Sequence, residues 1–301
     1  MRKYLTLFTL LFILFALNGV RNVFSQVSPT PEVTTEVTPA ETPTTSTTPT
    51  SASFDQAYQE YLDEIEKYKG AHQDYLFRKA QYQRFGTLKS RQDAQIATAA
   101  MLQTRDDVVV SYLSLVKTLL TESKGITDEK LQGLVIRADE EIGWWKDHKA
   151  AIPSAGTLKD LENDSAEARS RWAGVDPLVY EILAEIANGR VSDYMVRTNE
   201  FFARVKDMIV QIRSKEGEGQ TFSSEKFDVL DRWVFETDNR IVRAKERKAE
   251  GEEAITLLKR RRTNALPAYN NVIVILGETQ LYLKEANTFM KEIIREIKTA
   301  E

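Results

Sequence analysis

Cysteine is absent from all 301 residues, and histidine occurs only twice. The first absence excludes a lipidated cysteine, disulfide staples, thiol nucleophiles and Cys-ligated metal, so stability has to come from a packed core. The second excludes His-rich zinc sites. Neither His72 nor His148 has a glutamate three residues before it, as the di-metal sites of helical bundles require. No EF-hand loop, Gly-x-Ser-x-Gly turn, phosphate-cradling glycine loop or dinucleotide fingerprint occurs. Carboxylates are too abundant to single out a pair for glycoside chemistry. No cofactor and no catalytic residue is expected.

Long apolar runs are also scarce. The one that exists lies at the start, where Arg2 and Lys3 precede Leu5–Leu17 (LTLFTLLFILFAL). Its length suits a signal h-region and is short for a spanning helix. The expectation is a signal peptide over residues 1–25, cleaved before Gln26. The alternative is an uncleaved anchor reaching Val20, with Arg21 at the far interface. Either reading exports the remainder, to a secreted or cell-surface place, with membrane contact only through this segment if it is retained. Residues 26–53 then change composition to Thr, Ser and Pro, as in Thr42-Pro43-Thr44-Thr45-Ser46-Thr47-Thr48-Pro49. Such a stretch cannot bury enough apolar surface to fold and reads as a disordered, semi-extended spacer.

From Phe54 onward strand signals are nearly missing, and apolar residues recur at alternating steps of four and three. One seam runs Val109, Leu113, Val116, Leu120. A second runs Val191, Met195, Thr198, Phe202, Val205, Ile209, Ile212. A third runs Val272, Leu276, Thr279, Leu283, Ala286, Met290, Ile293, Ile297. Each stripe calls for a partner helix packed at a shallow angle. The fold class expected is therefore all-α, an elongated bundle or a row of long antiparallel helical hairpins.

Glycine and capping residues divide the chain. Lys124-Gly125 before Thr127-Asp128-Glu129, and Glu216-Gly217-Glu218-Gly219 before Ser223-Ser224-Glu225, each stop one helix and cap the next. Similar phrases follow, Asp128–Leu134 and Ser224–Leu230, a weak internal repeat. They suggest three hairpins at about 54–123, 126–215 and 223–300 within a helical domain 54–301. Bends are expected at Phe85-Gly86-Thr87, at Ile152–Gly156, at Gly174-Val175-Asp176-Pro177 with Pro177 in a first turn, and at a basic tip around Thr263–Pro267.

The net charge of −4, spread over many residues of both signs, describes a solvated helical surface and argues against nucleic acid as a partner. One basic run, Lys259-Arg260-Arg261-Arg262, is a candidate anion contact for an envelope polymer, or else a helix C-terminus that suits the dipole. The first helix carries a tyrosine stripe, with Tyr61, Tyr68, Tyr75 and Tyr82 at seam spacing around His72. Tyrosine has an apolar body and a polar tip, so these residues together with Trp144 and Trp145 are a candidate glycan- or peptide-binding groove; core packing is the competing reading. His72 and His148 are read as histidines held by a carboxylate or a backbone group. The function expected is a non-catalytic exported or cell-surface helical module that makes protein contacts or spaces envelope components. An extracytoplasmic ligand-binding domain is the alternative, and an enzyme of unrecognised type the second alternative. Partners are a protein or an envelope polymer, and edge seams permit self-association.

Overall fold

The computed structural model describes residues 52–214, 222–261 and 264–299. The signal and spacer segments, the Glu216–Gly219 stop, and Arg262 with Thr263 lie outside the described residues. Six helices account for nearly all of the rest: α1 (Ala52–Phe85), α2 (Leu88–Thr121), α3 (Asp128–Ala151), α4 (Leu158–Ser214), α5 (Ser224–Lys259) and α6 (Leu266–Lys298). A single 3₁₀ turn, Ile152–Ser154, links α3 to α4. There is no strand among the described residues, and the all-α class holds. No helix there is long and apolar enough to cross a membrane.

Local chemistry sets the boundaries. Gly86 (φ 60°) turns the chain between α1 and α2, and the Thr87 hydroxyl caps α2 by accepting from the Ser90 amide at 3.1 Å. Ser223 caps α5 in the same way through the Lys226 amide. Between these ends the seams carry the packing. Val109, Leu113, Val116 and Leu120 of α2 are buried, as are the first seven residues of the α6 seam, Val272 to Ile293. A helix of 33 residues with a stripe this apolar depends on its neighbours more than on intrinsic propensity.

Side-chain pairs fix direction and register. α1 and α2 run antiparallel, with Tyr61 against Tyr112 and Arg78 against Asp93. α3 lies antiparallel on α2, through Lys117–Asp139 and Lys149–Asp107. α5 and α6 form a second tight antiparallel pair, through Arg247–Glu278, Arg240–Glu285 and Trp233–Phe289. α4 is the shared element. Its first half runs beside α2 and α3; its second half packs between α5 and α6, with Phe202 against Ile241, Ala286 and Met290, and Val205 and Ile209 against Phe227, Leu230 and Ile293. α1 with α2 and α5 with α6 are thus packed antiparallel pairs, whereas α3 sits mainly on α2 and reaches α4 through long polar side chains such as Arg171–Glu141 and Arg137–Glu181.

One bend is corrected. Helix α4 runs unbroken for 57 residues, about 85 Å, straight through Gly174–Pro177. Pro177 lacks an N–H for the Ala173 carbonyl, which in a helix interior costs ~3 kcal/mol. Val175, Leu178, Val179 and Ile182 are all buried around it, so packing on both sides holds the helix through the proline. Punctuation by proline is a local signal, and here the tertiary contacts outweigh it.

Candidate functional site

The two halves of the molecule meet at residues 176–190 of α4, and of the residues singled out in the sequence Lys259 packs there. Tyr61 of α1 leans on Tyr112 of α2 with ring centroids 5.6 Å apart, and Tyr180 of α4 on Tyr269 of α6 at 5.3 Å. Tyr61, Tyr112 and Tyr180 are fully buried, and burial pushes their hydroxyls well above the ordinary tyrosine range. Burial also raises Asp176. The first ring pair thus joins α1 to α2 and the second joins α4 to α6, each as buried core.

The tyrosine stripe therefore divides. Tyr61 and Tyr68 are core side chains, which corrects the groove reading for both; only Tyr75 and Tyr82, farther along α1, stay half-buried. His72 lies between the rings of Tyr68 and Tyr75, and burial lowers its pKa. The tryptophan pair splits likewise. Trp145 is wholly buried, and is corrected to core; Trp144 is half-buried beneath the Arg171 guanidinium, 5.2 Å from the ring centre, and stacks on His148 at 5.0 Å.

His148 belongs to a buried ionic chain. Its Nδ1 is 2.5 Å from Oδ2 of Asp106, and its Nε2 is 3.1 Å from the Asp164 carbonyl oxygen. Both neighbours are acceptors, so both ring nitrogens are satisfied only when both carry protons, that is, as imidazolium. Arg105 donates from Nε and Nη2 to the other oxygen of Asp106, at 3.1 and 2.9 Å. Burial pulls the His148 pKa down, but the Asp106 hydrogen bond and charge, with the Asp164 carbonyl, outweigh it and leave the pKa above the ordinary value. The chain clamps α3 to α2 and to the start of α4.

A second polar node sits in the shared part of α4. Glu181 and Glu185, one helical turn apart and almost fully buried, face Arg137 and Lys130 of α3 and Lys259 of α5. Arg137 Nη1 lies 2.8 Å from Glu181, and Lys259 Nζ 3.0 Å from Glu185. Lys259 is thereby corrected from a candidate anion contact to a structural cation. Arg260 and Arg261 are exposed at the end of α5. Beside this node Gly125 (φ +78°) abuts Gly189: a methyl on Gly189 would fall 2.7 Å from the Lys124 carbonyl and from Ile126 Cγ1. The backbones of the α2–α3 turn and of α4 are in contact because neither glycine has a side chain.

Arg105, Asp106, Glu181 and Glu185 were not singled out by motif or spacing, yet the signal was present. Continuing the α2 seam backward in steps of three and four reaches Asp106 and Leu102; continuing the α4 seam backward from Val191 reaches Asn188, Ala184 and Glu181. A charged residue in an apolar seam position marks a buried polar contact. No group of three or more metal-ligating side chains occurs among the described residues. Asp106, Glu181 and Glu185 each face a cation, an arrangement that holds helices together. No family model matches the chain, and neither a curated protein nor a solved structure matches it.

Proposed function

We propose that this chain is a non-catalytic exported helical spacer, which holds contact surfaces at a fixed separation in the cell envelope. The observation that carries the reading is α4. One helix of 57 residues serves as a core element of both halves. It is locked at their junction by the tyrosine core, by the Glu181–Glu185 node and by the Gly125–Gly189 approach. Such a junction suppresses bending where two helical bundles would otherwise hinge. The basic apolar start of the sequence and the Thr/Pro-rich stretch supply the export half of the proposal. Burial of Tyr61, Tyr68 and Trp145 weighs against an aromatic groove for glycans or peptides, and the pairing of the buried carboxylates weighs against an enzyme.

The helical unit beginning at Thr48 has its own core, with every buried side chain among the described residues inside it, so residues 48–301 can be studied alone. Light scattering combined with small-angle X-ray scattering on that unit tests the proposal. A stiff rod, monomeric or in a defined oligomer, is the expected result. A flexible particle or a compact globule would overturn the spacer reading.

A further inference from the structure

The far end of the α1–α2 hairpin has a composition unlike the rest of the surface. The α3–α4 turn reaches α2 at Gln95, whose amide bonds the Ala155 carbonyl, and α1 packs chiefly on α2. Beyond that level, among the described residues, the closing turns of α1 and the opening turns of α2 pack on each other. Five large apolar side chains stand exposed here: Leu76, Phe77, Phe85, Leu88 and Ile96. Phe85 and Leu88, on either side of the turn, are 59 % and 72 % exposed, too much for a bundle core. Residues 76–96 also carry five lysines or arginines against one aspartate, a local net charge of +4 in a chain of −4. Asp93 takes up Arg78 and Lys89. Arg84 lies over the Phe85 ring, Lys79 bonds the Tyr75 hydroxyl, and neither has an acidic partner among the described residues.

We propose that this hairpin tip is a docking surface for an anionic lipid membrane. A polyanion in water would be gripped by the cations alone and would leave Phe77, Phe85 and Leu88 in solvent. A bilayer interface takes both kinds of group: apolar side chains enter the acyl boundary while long cationic side chains stay at the headgroups. The sign of the tip matches anionic headgroups, which attract each lysine or arginine near such a surface. The tip lies at the opposite end of α1 from Phe54, about 50 Å away for a helix of 34 residues. This surface is independent of the spacer reading, since a molecule that flexed at the junction would keep it.

The test is flotation of residues 48–301 with vesicles of phosphatidylglycerol and phosphatidylcholine, against vesicles of phosphatidylcholine alone. Binding to the anionic vesicles only, weakening with salt, is expected. Combined Lys79→Gln, Arg84→Gln and Arg91→Gln should lower the partition coefficient on the order of a hundredfold. Phe85→Ser with Leu88→Ser should lower it roughly tenfold or more. Unchanged melting temperatures confirm folding, and Phe85→Trp provides a second readout through a blue shift of its emission on vesicle addition. Absence of binding to anionic vesicles at low salt would overturn the proposal. So would full binding by the serine variant together with competition by soluble polyphosphate, which would mark a polyanion site instead.

Discussion

Replacing Asp106 by asparagine keeps the size and shape of a wholly buried side chain but removes the charge that Arg105 and His148 share. Both cations are themselves almost fully buried, so neither can turn to water. Removing one partner of such a group costs about 3–5 kcal/mol, because an uncompensated charge is left behind. At about 2–4 °C per kcal/mol for a chain of this size, the melting temperature should fall by roughly 6–20 °C. The pH dependence separates this from simple loss of packing. His148 has a folded pKa above its unfolded value of about 6.5. Its contribution is therefore fully present below pH ~6.5 and is lost as pH rises through the folded value. His72 acts with the opposite sign: burial lowers its pKa, so its contribution is present above pH ~6.5 and lost as pH falls. Urea unfolding of wild type, Asp106→Asn and His148→Gln at pH 6 and pH 8, in matched ionic strength, isolates the group. The stability gap between wild type and His148→Gln should be wide at pH 6 and narrow toward pH 8. A gap that does not change with pH, or an Asp106→Asn cost below about 1 kcal/mol, would refute the buried imidazolium.

Three further predictions concern packing and the junction. Gly189→Ala should destabilise by about 2 kcal/mol or more through the clash with Lys124 and Ile126, whereas Gly70→Ala, in a helix with nothing nearby, should stabilise by about 0.5–1 kcal/mol; chemical denaturation of the two checks the sign. Trp145→Ala should cost about 3–5 kcal/mol, while Tyr82→Ala should cost under about 1 kcal/mol, and equal effects would contradict the division of the aromatic residues into core and edge. Lys259→Met should cost about 1–2 kcal/mol, discounted for a lysine that is partly exposed, and less in high salt as read by thermal melts at two ionic strengths.

Much of the fold could be read from periodicity. The residues at alternating steps of four and three in α2 and α6 are the ones found buried, because an apolar stripe has to face another helix. Turns at Gly86 and Gly125 could be read because a positive φ favours glycine. Pro177 misled, since its cost is local and is offset by buried neighbours on both sides. The tyrosine stripe could be read as a stripe but not as core or groove. That depends on a side chain from another helix, Tyr112 of α2, whose ring lies against Tyr61. The ionic chain was hidden for a related reason: Asp106 and His148 are 42 residues apart, and only the register of α3 on α2 brings them together.

The continuity of α4 across the junction is the central claim, and the absence of cysteine makes it directly measurable. Spin labels on cysteines placed at Glu162 and Arg197, both well exposed and 35 positions apart, flank Gly174–Pro177. A continuous helix sets them about 52 Å apart before the length of the label tethers. One narrow distance distribution near that value is the expected result of a double electron–electron resonance measurement. A broad distribution, or a peak tens of ångströms shorter, would mean that the chain bends at Pro177 and that the two halves are not held by one helix.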